Sequence, residues 1–442
     1  MRAAPIEGNR NVPIDDLDLT ELKQRWRRLD EAIRLGWDSE MRTAQERDIC
    51  ETGTDWTWTE TISKISGRTP EPKDNSETLL FLPFPFRPGA GKGAFPEMFA
   101  WDSYFVNLGL LAHGRHDLVR GALLNQLFMI MRHGKVLNGN RTYFSGRSQP
   151  PLHADAIWRY FEATGDRDLL LLSYPLLGQE YRHHWLDGDH STPTGLTTHN
   201  DTKDRYLRPE LAAEAESGLD FCALFEGDIR NCVPVALNAQ LVRYCEVLGL
   251  IAETLGFADE AADWRRAAQV RAQRIRDLCW DGEAGFFFEY DFVHDRQIPV
   301  WSLCAYWTVW AKVATEDQTR RLVEHLPRFE HARGLTVTDK LYPSPHPEFP
   351  VLQWAYPYCW PPLMMIVVEA LSKTSASTYV KSVGVNYLKW VVQRYEETGT
   401  VWEKYLAVPE VTARSERYDT VSFYGWSCAS VVEIGRLVGL DQ

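Results

Sequence analysis

Two stretches carry the side chains best suited to chemistry. Phe95–Phe105, FPEMFAWDSYF, sets the aromatics Phe95, Phe99, Trp101, Tyr104 and Phe105 around two carboxylates, Glu97 and Asp102. Asn138–Leu152, NGNRTYFSGRSQPPL, adds Asn138, Arg141, Arg147 and Gln149 to further aromatics and a proline pair. Aromatic faces stack on sugar rings, and planar forks of donors and acceptors grip hydroxyls, so this mixture suits a carbohydrate pocket. Gln353–Leu363, QWAYPYCWPPL, offers a third stiff aromatic surface with Gln353, Trp354 and Trp360. Each stretch taken alone also reads as ordinary core or turn; it is their recurrence that favours sugar.

Candidate acids and bases stand elsewhere in the chain. Asp220 lies in Glu216–Phe221, ESGLDF, and Glu403 in Val401–Tyr405, VWEKY. Cleaving a glycosidic bond needs two carboxyl groups across it, one kept protonated to donate its proton. Apolar neighbours such as Leu219 and Phe221 would favour the protonated form by desolvation. Lys404 is expected to point away from Glu403 into solvent. His183, His184, His190 and His199 lack a helical i, i+4 pair and a Cys or Glu to complete a set, so they are expected at the surface, with no metal. Pro88–Gly93, PGAGKG, lacks the spacing of a phosphate loop and reads as a flexible rim. No Ser-His-Asp arrangement is recognisable.

Helices must position these residues. Amphipathic periodicity predicts helices over 17–35 (Thr20 as cap), 118–131, 152–164, 167–184, 233–255, 258–280, 300–314, 319–326, 361–371, 375–395 and 420–438. Strand signals are few, so the chain is expected to be all-α. The polar and aromatic motifs fall in the connections. A closed ring of helix pairs would bury this pattern and gather those connections at one end; periodicity alone leaves it one candidate among several.

Composition narrows the classes. The chain has 442 residues, 44% of them hydrophobic, enough for a substantial core. Its net charge of −13 argues against nucleic acid or an anionic membrane as partner. No uninterrupted apolar run suggests a signal peptide or a membrane span. The eight cysteines are scattered without a CxxC pair, which fits reduced thiols in a cytoplasmic protein.

Taken in order, the motifs resemble those of the trehalase family of inverting glycosidases. The family's PGGRFxExYxWDSY stands here as Pro88–Tyr104, and its NGGRxYYxxRSQPP as Asn138–Pro151. RPES corresponds to Arg208–Glu210, SGWDFSSRW to Ser217–Phe225, and PVDLNALL to Pro234–Leu241. QWDxPNGWAPL corresponds to Gln353–Leu363, EKYD to Glu403–Tyr405, and GFGWTNGV to Tyr424–Ser427. The order and spacing hold from about Leu79 to Val432. The resemblance implies an (α/α)6 barrel with Asp220 as general acid and Glu403 as general base. It also implies a pocket lined by Phe95, Trp101, Asp102, Asn138, Arg147, Gln149, Arg208, Gly218, Gln353, Trp354, Trp360 and Trp426. Residues 1–76 are expected to form a helical or irregular lead-in packed on a catalytic barrel of residues 77–442.

The chain also departs from the family pattern. Ala94 replaces an arginine, Leu219 a tryptophan and Ala355 an aspartate, while gap-free alignment puts Arg417 where the family has a glutamate. Fewer hydroxyl-gripping groups and a new cation suggest a carboxylate-bearing leaving group, with Arg417, Lys92 or Arg87 receiving it. The expected activity is therefore inverting hydrolysis of a small α-linked glycoside. A mannosylglycerate or glucosylglycerate is placed ahead of α,α-trehalose, and no cofactor is expected. A non-catalytic sugar-binding protein is the alternative if Asp220 and Glu403 do not share a pocket. An isoprenoid cyclase is disfavoured because the acidic cluster and apolar cavity it needs are missing. Oligomeric state is not legible.

Overall fold

The computed structural model describes residues 18–43, 79–90, 95–201, 203–204, 206–409, 420–422 and 425–442. Arg417, Lys92 and Ala94 lie outside them, as does the expected boundary at residue 76. In chain order the helices are α1 Leu19–Gly36, α2 Ala100–Ala112, α3 His116–His133, α4 His153–Thr164, α5 Arg167–Glu180, α6 Pro209–Glu216 and α7 Val235–Leu255. They continue as α8 Ala258–Cys279, α9 Trp307–Trp310, α10 Glu316–His325, α11 Pro361–Ser372, α12 Ser377–Thr398 and α13 Gly425–Val438.

The inner helices α2, α4, α7, α9, α11 and α13 each pack on the next, and α13 returns onto α2, closing an (α/α)6 barrel. The all-α expectation holds. Sequence distinguishes inner from outer helices by how widely the apolar residues are spread. In α11 nearly every residue from Pro361 to Leu371 is buried, and in α2 burial runs unbroken from Ala100 to Leu110. By contrast, α10 buries only Gln318 and Leu322. It is held at its start by Thr315 and Gln318, which cap each other's backbone reciprocally.

α1 closes the outer layer against α12 and α13. Its Leu22, Trp26, Leu29 and Ile33 share one buried face, and Trp26 donates its indole N–H to Val431 O at 2.8 Å. Asp18, rather than Thr20, caps it by accepting from Glu21 N at 2.7 Å. The helix expected over 300–314 shrinks to a 3₁₀ turn at Leu303–Tyr306 followed by α9. Ser302 there pairs as a β-bridge with Thr338 and caps the turn through Cys304 N.

α7 is long and apolar enough to cross a membrane by composition, contrary to expectation, but 78% of its apolar window is buried inside the protein. It reads as a barrel core helix. The described cysteines are free, buried thiols.

Candidate active site

The barrel gathers the motif residues where inner helices begin. Trp101 and Asp102 occupy the first turn of α2, and Trp426 that of α13. Trp360 immediately precedes α11 and is held extended (φ −107°, ψ 120°). The reason is Pro361, whose ring disfavours helical geometry in the residue before it while suiting the first helical position. Gln149 lies in the turn leading into α4.

One cavity is lined by Phe95, Phe99, Trp101, Asp102, Asn138, Arg147, Gln149, Ala215, Gly218, Asp220, Trp354, Trp360, Glu403 and Trp426. Both candidate carboxyl residues and most of the expected pocket therefore meet in one place. Phe99 and Ala215 are additions. Ala215 carries no chemical signal of its own, and only packing brings it there.

The walls are an aromatic box. Trp354 stacks on Trp360 at 3.7 Å between centroids and 11° between planes. Trp101 meets Trp354 at 5.6 Å and Trp426 edge-on at 5.9 Å. Gly218 has φ +75°, and a Cβ on it would lie 2.8 Å from the Trp101 ring, so glycine alone fits there.

The two carboxyl residues are held differently. Asp220 follows α6 and is partly exposed. Its carbonyl oxygen accepts from Gln353 Nε2 at 2.8 Å. The turn is pinned on both sides by the last carboxylates of α6. Glu214 accepts from Cys222 N at 2.8 Å and from His346 at 2.8 Å. Glu216 accepts from Ser148 N at 2.7 Å, linking the Asp220 turn to the Arg147–Gln149 turn. Glu403 is 1% exposed, and its carbonyl oxygen accepts from Trp426 Nε1 at 2.9 Å. Lys404 is not solvated as expected: its Nζ lies 2.9 Å from Glu403 Oε2 and 5.0 Å from the Trp360 ring centroid. A cation this deep must be paired, and the neighbouring carboxylate does so.

The polar rim is also braced. Arg147 Nη1 bonds Asp201 at 2.9 Å and Asp204 at 2.5 Å, while its Nε is buried without a hydrogen-bond partner among the described residues. Burial opposes its charge, but the two carboxylates outweigh that and raise its pKa. Gln149 Oε1 accepts from Trp101 N at 3.0 Å, and Asn138 Nδ2 donates to Ser148 O at 3.2 Å.

Some expected site residues fall elsewhere. Arg208 pairs with Glu210 and Glu348 on a half-exposed surface. Gln353 is buried behind Asp220 rather than among the cavity-lining residues. Glu97 is fully buried against Arg141. Arg87, one candidate for the leaving-group cation, lies over the Trp37 ring at 5.2 Å and is not among the described lining residues. The histidines also depart from expectation. His183 is exposed, but His190 and His199 bond Glu216 at 2.9 and 3.0 Å, with His184 beside them. The glutamate that completes their set comes from α6, 26 residues from His190 along the chain, which spacing does not reveal.

Two of the departures that suggested a carboxylate leaving group lie off the cavity. Ala355 is wholly buried in an apolar cluster with Leu211, Phe221 and Phe349. Leu219 lines a separate small internal cavity with Phe225, Leu237 and Cys304. Neither replaces a side chain of the described cavity wall.

A family model described as trehalase matches residues 42–219 and 200–439. The cytosolic neutral trehalase of Saccharomyces cerevisiae is 27% identical over 420 residues, covering 80% of this chain and 54% of the relative. The chain thus spans about half the length of the curated relatives it matches. The solved neutral trehalase of Saccharomyces cerevisiae superimposes with a TM-score of 0.77 at 23% identity, covering 93% of this chain and 94% of that one. A mannosylglycerate hydrolase from Thermus thermophilus gives a TM-score of 0.57 at 19% identity, covering 78% and 95%, and shares the fold. The expected preference for a hexosylglycerate is overturned, because the sequence relatives matched over most of this chain are named trehalases.

Proposed function

The chain belongs to the trehalase family, and on that premise we propose that it hydrolyses α,α-trehalose to glucose with inversion at one anomeric carbon. The observation that carries this reading is that Asp220 and Glu403 line one tryptophan-walled cavity. Asp220, the more exposed of the pair, is the general acid. It protonates the glycosidic oxygen as the bond to the anomeric carbon breaks. Glu403 is the general base. It removes a proton from a water that attacks the opposite face of the same carbon. The Lys404 ammonium balances the buried Glu403 charge before substrate arrives.

The remaining residues hold the sugar. Trp101, Trp354, Trp360 and Trp426 offer ring faces and exclude water. Asn138, Arg147, Gln149 and Asp102 supply hydroxyl-binding groups, the first three already oriented by their neighbours, so little ordering remains to be done on binding. A small glycoside in the cytoplasm, where a relative of the same family is named cytosolic, is the substrate this reading implies.

The deciding experiment is a substrate panel of trehalose, glucosylglycerate, mannosylglycerate and kojibiose with purified protein. Trehalose is expected to give the highest kcat/KM. No turnover of any member would leave a sugar-binding protein; faster turnover of either glycerate glycoside would overturn the substrate.

A further inference from the structure

Outside the candidate active site, one buried cluster has the atoms of a metal site. One ring nitrogen each of His184 and His190 and a Glu216 carboxylate oxygen lie within 4.8 Å of one another. They come from the π-turn ending α5, from the 3₁₀ turn Gly188–His190 and from the last residue of α6. The side chains of His184 and His190 are 10% and 9% exposed and that of Glu216 is fully buried.

A buried glutamate needs compensation, and two histidines alone would supply it. His190 Nε2 and His199 Nδ1 do so at 2.9 and 3.0 Å from Glu216 Oε2, with the Asn200 N–H adding a bond at 3.1 Å. That account leaves His184 unexplained. Its Nε2 is 3.8 Å from Glu216 Oε1, beyond hydrogen-bonding distance, and is buried with no hydrogen-bond partner among the described residues. The rings of His184 and His190 sit 4.4 Å apart between centroids. A side pocket lined by His184, His190 and also His183, with Lys135, Asp187 and Lys203, opens beside them, giving an entry path and room for water.

We propose that His184, His190 and Glu216 form a site for one divalent transition metal of the zinc class, with water as the remaining ligand. Two imidazoles and one carboxylate with an open position match the donor preference of that class. Binding replaces the His190 Nε2–Glu216 Oε2 hydrogen bond with a bond from each group to the metal, which calls for small shifts of the three side chains. His199, Asn200 and Ser148 remain hydrogen-bonded to the carboxylate and orient it. The metal takes no part in bond cleavage. It fastens Glu216, and with it the turn that leads to Asp220, to the turns that carry His184 and His190.

The test uses the full chain, freed of metal with a chelator and then titrated with zinc chloride by equilibrium dialysis and thermal unfolding. One zinc per chain and a rise in Tm are expected. His184→Ala, whose Nε2 has no bond to lose, should fold, bind zinc at least about tenfold more weakly and lose the Tm rise. His294→Ala, exposed and outside this pocket, should behave as wild type. The proposal is overturned if wild type takes up no zinc at this stoichiometry, or if His184→Ala binds it within about tenfold of wild type with the same Tm rise.

Discussion

Lys404 Nζ stands 2.9 Å from Glu403 Oε2, and the two side chains are 2% and 1% exposed. The pair lies next to the cavity, with the ammonium also 5.0 Å from the Trp360 ring centroid. Removing one partner of such a pair takes the nearest opposite charge away from a buried ion. Lys404→Met is therefore expected to destabilise the protein by about 3–5 kcal/mol. Adding Glu403→Gln should recover much of that loss. Urea unfolding of the single and double variants checks this; equal stability of Lys404→Met and wild type would sink the idea.

The roles proposed for the two carboxyl residues predict a kinetic signature. Asp220→Asn and Glu403→Gln should each lower kcat by about 10²–10⁴, because proton transfer is lost while the sugar-binding walls stay. Circular dichroism should show an unchanged helical fold. Near-wild-type turnover by either folded variant would remove that residue from the mechanism.

Inversion also has a product signature. In α,α-trehalose only the attacked carbon changes configuration, so one glucose should appear as the β anomer and the other as α. Proton NMR within the first minutes of reaction, before mutarotation mixes the anomers, reads this directly. Two α anomers would mean retention and a different role for Glu403.

Gly218 sits at φ +75° with the Trp101 indole 2.8 Å from where a Cβ would be. Gly218→Ala must therefore push Trp101 or the Asp220 turn aside, and small displacements of catalytic groups are costly. kcat/KM is expected to fall by about 10²-fold, and Tm should fall with it. An alanine variant of normal activity would show that the turn tolerates the shift.

Glu289 is buried beside the internal cavity, and burial pushes its pKa up to about 8. Its folded value lies above the unfolded one, so between about pH 4.5 and 8 the unfolded chain has released a proton that the folded chain still holds. Stability should fall as pH rises through that window. Glu289→Gln is expected to flatten this slope and to be the more stable protein at about pH 8, as denaturation midpoints at about pH 5 and pH 8 would show. A wild-type slope retained in the variant would place its origin in other groups.

The sequence by itself determined the helical class, most helix positions and the residue types of the pocket. Hydrophobic period and capping chemistry are local properties, and α1 and α10 follow from them. The motif order also carried the family, because each motif keeps its spacing. α2 escaped the periodic reading because an inner helix buried on all sides has no polar face to set a rhythm. Only the tertiary structure decided which residues meet. Arg208, drawn from a motif, turned out to pair with surface carboxylates, whereas Ala215 reached the cavity wall. Leu219 and Ala355 looked like changes to the substrate pocket and proved to fill core behind it. Lys404 looked solvated and proved to be the buried partner of Glu403, and three histidines that looked superficial converge on Glu216. Such contacts join positions tens to hundreds of residues apart, or depend on which way one side chain turns. Neither is encoded in spacing along the chain; both follow from the closure of the ring.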